Sequence, residues 1–401
     1  MKENFYRKVL KNGMTILFEK RDLPVVSVAF AVRAGGMNES ENEKGIYHFM
    51  EHTLFKGTEK RTTQQISEEI EKKGGTLNAF TGEDLTVFLC KMPSEHLDVA
   101  LVVLGDIVKN PTFPEKEIEK ERKVIFEEIK MYRDNPKMHV FEEIQKNLYV
   151  TPFGNSILGS VESLTSIKRN ALLDKFKETF TPENMILCVV GNANFEALVR
   201  FAEKNFGNKK GKIKKLNIRK KNGSKIERRK GIDQANLVFA YHVPMANDKK
   251  SYAAEILSAL MVGGMSSRLF VEIREKRNLA YSVGGDSDIN KDFAHNFISV
   301  GTSNENVEKV RKLILEEFKK VSRGLADKEL KQIKTQVIGQ HQISMEESQH
   351  QMKSLLFNEI AGNARNFYAF ERNISKVKLE DVKEIAKNAA KKYSFFALIP
   401  E

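Results

Sequence analysis

Apolar and polar positions along this chain follow one order of strand-like and helix-like segments, and then repeat it. Near the start, the segment FYRKVLKNGMTILFEK alternates in strand fashion, and SVAFAVRAG is an unbroken apolar run of the kind a buried strand makes. Two strands are predicted within residues 76–92, followed by a helix over 95–109. The turn NPTFP at 110–114 stops that helix, because proline cannot continue it. Helical periodicity then resumes in a long charged segment, 115–133. Periodicity lapses across the stretch GNKKGKIKKLNIRKKNGSKIERRKG and returns at Gln234. The same order follows. ANLVFAYHV is a buried strand, strands are predicted around 280–286 and 296–301, and a helix over 304–321 precedes a turn at 323–327 and another long helix from 328. Glu117 in PEKEIEKER aligns with Glu329 in DKELKQIKT.

This repetition predicts an α+β protein of two homologous domains, each a mostly antiparallel sheet packed against helices in a duplicated α/β roll. The boundaries follow the lapse in periodicity: a first domain over 1–208, a basic linker over 209–230 and a second domain over 231–401. With 401 residues, each half is long enough for a core of its own.

Composition adjusts this picture only slightly. Hydrophobic content of 41% and charged content of 30% fit a folded soluble chain. No apolar run approaches the length of about 18–20 residues that a membrane helix needs, and the first twenty residues lack a signal-peptide core. Cys90 (VFLCKM) and Cys188 (MILCVV) sit in apolar runs, which points to buried strand thiols in a reducing, cytoplasmic setting. The net charge of +12 is concentrated, since residues 209–230 hold twelve Lys or Arg against the single acid Glu227, a net of +11. That stretch has no aromatic residue to stack on bases, so a solvated linker is the better reading and nucleic acid an unlikely partner.

The candidate chemistry is in the first half, at His48-Phe49-Met50-Glu51-His52. On a helix, positions 48 and 52 are one turn apart and share a face with Glu51. Two imidazoles make good zinc ligands, and a carboxylate that does not bind the metal can take a proton from zinc-activated water. This HxxEH order is the inverted form of the commoner HExxH zinc-protease motif. A catalytic zinc site needs a third ligand from another element. The long helix offers Glu117, Glu119, Glu121, Glu127 and Glu128. Glu121 and Glu128 are seven residues apart and fall on one face; either could bind the metal while the other steadies a ligand, and spacing does not choose between them. The second half repeats none of this. Its four histidines, His242, His295, His341 and His350, are scattered and read as structural or solvated.

GIYHFMEHTLFKGT, residues 45–58, strongly resembles the active-site segment of the pitrilysin, insulin-degrading enzyme and mitochondrial processing peptidase family. In that family a glutamate 76 residues beyond the second histidine completes the zinc site; here that position is Glu128 (52 + 76 = 128), with a supporting glutamate at Glu121. Matching the two halves puts Gln340 opposite Glu128 and Ile333 opposite Glu121, so the second half resembles the family's non-catalytic repeat. Leu77-Asn78-Ala79-Phe80-Thr81 resembles the edge strand that pairs with substrate backbone, which implies substrate-binding roles for Asn78, Ala79 and Phe80. Arg274 and Tyr281 resemble a family pair in which the tyrosine donates to the oxyanion and the arginine holds a substrate carbonyl. The resemblance runs from LKNG at 10–13 to the final strand; Met50 stands where leucine is more usual.

What the resemblance implies is a zinc metalloendopeptidase with one zinc per chain. Zinc-activated water is the nucleophile and Glu51 the general base. Two-domain members of the family generally work as dimers enclosing a chamber, so Arg274 and Tyr281 are expected to serve the partner chain's zinc. The expected substrates are peptides or unfolded polypeptide segments. A homodimer is the simplest assembly, with a heterodimer with a paralogue as the alternative, and no membrane is involved. The alternatives are a non-catalytic structural or assembly subunit of the same fold, and nucleic-acid binding through the basic linker.

Overall fold

The structure, a computed structural model, describes residues 4–215 and 217–401. Its contacts gather into two compact units. One holds the residues up to Ile129 with Ser156–Asn217 and Ser344–Ala364; the other holds Lys130–Asn155, Ile218–Ile343 and Arg365–Glu401. Each unit therefore borrows a segment from the other half of the sequence.

In the first unit, six strands form one sheet: β1 (Phe5–Val9), β2 (Thr15–Lys20), β3 (Val25–Val32), β4 (Thr76–Thr81), β5 (Thr86–Pro93) and β6 (Met185–Gly191). Their order is β1-β2-β6-β3-β5-β4, with β2 and β6 parallel and every other neighbour antiparallel. β3 explains why its sequence is an unbroken apolar run. Val26, Val28, Phe30 and Val32 face the core with the helix Leu97–Ile107, while the other face is covered by the borrowed helix Ser348–Ile360. On that second face Ser27 Oγ lies 2.9 Å from Ser348 Oγ, and Gln351 donates to Glu19 at 2.6 Å. A strand buried on both sides carries apolar residues throughout.

The second unit repeats the plan with five strands: β7 (Ser224–Arg229), β8 (Ala235–His242), β9 (Ala280–Ile289), β10 (Ala294–Thr302) and β11 (Ser394–Pro400). The order is β7-β11-β8-β10-β9, with β7 and β11 parallel. Leu237, Phe239 and Tyr241 of β8 face a core shared with the helices Ser251–Val262 and Val307–Gly324. The helix Pro136–Leu148, borrowed from the first half, covers β8 and β11.

The predicted elements match closely where the period is strong. The helix expected over 95–109 spans Leu97–Ile107, and the long one expected over 115–133 spans Glu115–Asp134. The exchange of covering helices was not readable from the order of elements, because an amphipathic helix does not say which sheet it covers. The basic stretch is divided. Ser224–Arg229 is strand β7, tied down by Lys225–Glu143, His139–Glu227 and Arg229–Glu227 pairs, whereas 209–215 is without helix or strand. Cys90 and Cys188 are buried free thiols. No helix among the described residues is long and apolar enough to cross a membrane.

Candidate metal centre

The motif residues lie on the helix Ile46–Leu54, entered through Gly45 at φ 92°. A Cβ there would stand 2.7 Å from the Leu158 carbonyl oxygen, so the close approach and the left-handed backbone both require glycine. The first amides of the helix are satisfied by a buried carboxylate from outside it: Glu39 accepts from Gly45 N (3.0 Å) and Tyr47 N (2.9 Å). Ile46, Phe49, Met50 and Leu54 anchor the helix in the core. His48 is buried, and Glu51 and His52 are half-buried on the side towards β4.

The long helix Glu115–Asp134 buries Ile118, Glu121, Arg122 and Ile125, a spacing of three, one and three that traces a single face. Arg122 locks this face against the motif helix. Its guanidinium lies 5.0 Å from the centre of the Phe49 ring and donates to the carbonyls of Leu164 and Ile167. Glu128, seven residues beyond Glu121, is carried inward by the same period. Glu117 and Glu119 pair instead with Lys120 and Arg122 of their own helix, and Glu127 is exposed.

The structure separates the two glutamates that spacing left open. Glu128 Oε2 lies 3.6 Å from His48 Nε2 and 3.6 Å from His52 Nε2. Glu121 Oε2 meets the other nitrogen of His52, Nδ1, at 3.1 Å, and its Oε1 accepts from Lys56 Nζ at 2.9 Å. The two imidazole rings are 4.7 Å apart between centres. Ligand atoms of His48, His52 and Glu128 all lie within 4.8 Å of one another, and no other such triad occurs among the described residues.

Two imidazole nitrogens and a carboxylate oxygen are the donor set of a catalytic zinc site with one open position. A tetrahedral ion bound at about 2.0–2.2 Å separates its ligands by about 3.3–3.6 Å, which matches the 3.6 Å from Glu128 to each histidine, so this donor set fits zinc. Burial, helped by the neighbouring His52, pushes the His48 imidazole down to about 3, which keeps it neutral and ready to ligate. Burial also raises the Glu128 carboxyl, with His52 opposing, and a bound cation would reverse that. Glu51 is likewise raised by burial, against a 2.6 Å hydrogen bond donated by Thr81 Oγ1 from the end of β4.

β4 is one of the two edge strands of the first sheet. Asn78 Oδ1 accepts from the Ala79 backbone amide at 2.8 Å, and the Phe80 ring packs 6.2 Å from Phe357 under the Lys353 ammonium. The Phe80 side chain is thus turned to the covering helix, leaving the strand edge as the accessible feature. Arg274 and Tyr281 belong to the second unit. Arg274 stacks on Phe270 at 5.0 Å, and Tyr281 lies on β9 against Gly301, half-exposed, with Lys137 5.8 Å from its ring centre. Ile333 is buried in the second core and Gln340 is exposed, so the second long helix presents neither glutamate. His295 is buried against the Tyr149 hydroxyl (3.1 Å), and His341 packs on Phe367 and Phe370. Three residues near the site escaped sequence reasoning: Lys56, Thr81 and Arg122. Lys56 lies in the turn just past the end of the motif helix at Leu54, close in sequence to His52; Thr81 and Arg122 act across elements and left no local pattern.

Residues 15–161 match the domain family described as insulinase (peptidase family M16), and residues 166–337 match the peptidase M16 inactive domain. A Rickettsia felis protein named an uncharacterized zinc protease is 32% identical over 392 residues, covering 97% of this chain and 92% of its own length. The chain belongs to the insulinase family. An uncharacterized zinc protease of Bacillus subtilis is 31% identical over 95% of the chain and 94% of its own length. The same fold is found in a protease from Helicobacter pylori, with a TM-score of 0.90, 22% identity and 99% of each chain covered. It recurs in a peptidase M16 inactive domain from Pseudomonas fluorescens, with a TM-score of 0.88, 21% identity and coverage of 99% and 98%. The M16 match to the first half contains the HxxEH helix and Glu128, and the inactive-domain match contains Arg274 and Tyr281.

Proposed function

We propose that the protein is a zinc-dependent endopeptidase that hydrolyses peptides or unfolded polypeptide segments. The observation that carries this reading is the convergence of His48 Nε2, His52 Nε2 and Glu128 Oε2 within 4.8 Å, with Glu51 on the same helix. Names of relatives as zinc proteases support it. His48, His52 and Glu128 would hold zinc, which would supply Lewis acidity for a peptide carbonyl and for a water nucleophile near neutral pH. Glu51 takes the proton from the attacking water and returns it to the leaving amine. Thr81 holds the Glu51 carboxylate in place, and Glu121 keeps the proton of His52 on Nδ1, so that Nε2 is free to ligate. The edge of β4 binds an extended substrate through backbone hydrogen bonds, which gives affinity with little side-chain selectivity.

In this reading the chain works as a homodimer enclosing a chamber, with one zinc per chain, in a reducing cytoplasmic setting. Tyr281 donates to the developing oxyanion and Arg274 holds a substrate carbonyl at the partner's zinc. Mixing a Glu51→Gln chain with a Tyr281→Phe chain tests this sharing: mixed dimers regain one intact site and part of the activity, and no recovery refutes it. For the central reading, Glu51→Gln keeps its zinc and loses hydrolysis; turnover like that of the unaltered protein refutes the general-base assignment.

A further inference from the structure

A cleft of about 220 Å³ in the first unit opens between the end of the helix Leu97–Ile107 and the helix Phe195–Asn205. It borders the segment that leaves the motif helix, because Lys60 and Arg61 line it. That segment is knitted to the cleft wall: Thr58 donates to Asp106 (2.6 Å), and the Glu59 amide donates to the Asn110 carbonyl (3.1 Å).

The charges in the cleft do not balance. The Asp106 carboxylate is occupied by Thr58, Arg61 and Asn110. Arg61 spends three of its five N–H groups on Asp106 and Glu69. Lys60 and Lys109 add two ammonium groups to the same lining, where Asp106 is the one carboxylate and is already bonded to Thr58, Arg61 and Asn110. Lys109 rests 5.2 Å from the Phe206 ring centre, and burial, together with the charge of Lys60, lowers its pKa.

Gly105 forms part of the floor, in the middle of a helix, where glycine costs about 1 kcal/mol relative to alanine. Packing does not require glycine here, since a Cβ would meet only Phe201 and Phe206 at 3.5–4.0 Å. A larger residue at this position would fill the cleft.

We propose that this cleft is a binding site for a small tetrahedral oxyanion of the phosphate class, held between Lys60 and Lys109 with the spare N–H groups of Arg61. Its volume is below the range of about 300–1,000 Å³ typical of sites for larger organic ligands, which favours the free ion over a nucleotide. An anion here would tie the segment after the motif helix to the helix Leu97–Ile107 and so steady the metal centre's support. The site is independent of the peptidase reading.

The test is calorimetric titration and thermal melting of the full chain with sodium phosphate, against sodium chloride at matched ionic strength. Saturable phosphate binding is expected, weakened at least about tenfold by Lys109→Gln or Lys60→Gln, the loss of one charge-assisted hydrogen bond. Gly105→Leu abolishes it, while Lys212→Gln, an exposed lysine of the basic stretch, leaves it unchanged. Phosphate acting no better than chloride overturns the proposal, as does equal weakening by Lys212→Gln, which would trace the effect to net charge. Tenfold tighter binding of a nucleoside monophosphate overturns the assignment to a free ion.

Discussion

Glu121→Gln isolates how far the metal centre depends on a residue that does not touch the metal. Glu121 is buried to 8% exposure and bridges Lys56 Nζ (2.9 Å) and His52 Nδ1 (3.1 Å). The carboxylate selects the His52 tautomer whose Nε2 points at Glu128. A hydrogen bond to a charged group contributes about 1.5–3 kcal/mol, and the neutral amide of glutamine retains about 1 kcal/mol of it. The net loss of about 0.5–2 kcal/mol corresponds to a zinc affinity about two- to thirtyfold weaker. That overlaps the range of about 10–100-fold found for residues that orient metal ligands. Competition with a chromophoric chelator measures it. On the proposed assignment Glu128→Gln loses more zinc than Glu121→Gln, because it removes a ligand. An unchanged zinc affinity in Glu121→Gln refutes the orienting role, and a larger loss there than in Glu128→Gln would exchange the two assignments.

Two further outcomes follow from the structure. Thr81→Val removes the donor that opposes the burial-driven rise of Glu51. In the proposed mechanism Glu51 works ionised, so the acid limb of the pH profile of kcat/KM moves to higher pH; an unmoved limb refutes the contact's role. Glu359 is pushed up by burial, but the Arg7 hydrogen bond, the Ala364 amide and the charges of Arg7 and Arg33 outweigh that and hold it below the usual carboxylate range. A lowered folded-state pKa means stability that is present above the unfolded value and lost as pH falls through the folded one. Glu359→Gln should therefore cost about 2–4 kcal/mol at pH 7 in urea melts, and the difference should fade below about pH 4. A pH-independent difference would contradict the ion-pair account.

Legibility followed the range of the interactions. The motif helix, the long helix and the β4–β5 pair could be read from sequence because periodicity and turn residues are local signals. Glu121 and Glu128 could be placed on one face, but their roles could not be separated by spacing, since that depends on which nitrogen of His52 each one meets. The family resemblance implies Glu128 as the metal ligand; the structure places its Oε2 3.6 Å from both Nε2 atoms. The Thr81–Glu51 contact joins residues thirty positions apart and left no trace in either segment. The borrowed helices were missed for a similar reason. Pro136–Leu148 and Ser348–Ile360 each pair polar anchors with an apolar face, and nothing local to either says which sheet it will cover.

The most direct test of the central claim is cleavage of a mixed peptide set, read by mass spectrometry, with zinc quantified in the same samples. The account predicts one zinc per chain, cleavage that stops on chelation and returns with zinc, and a Glu51→Gln protein that holds zinc without cleaving. Cleavage that persists without metal, or a zinc-loaded protein that cleaves as well with glutamine at position 51, would contradict it.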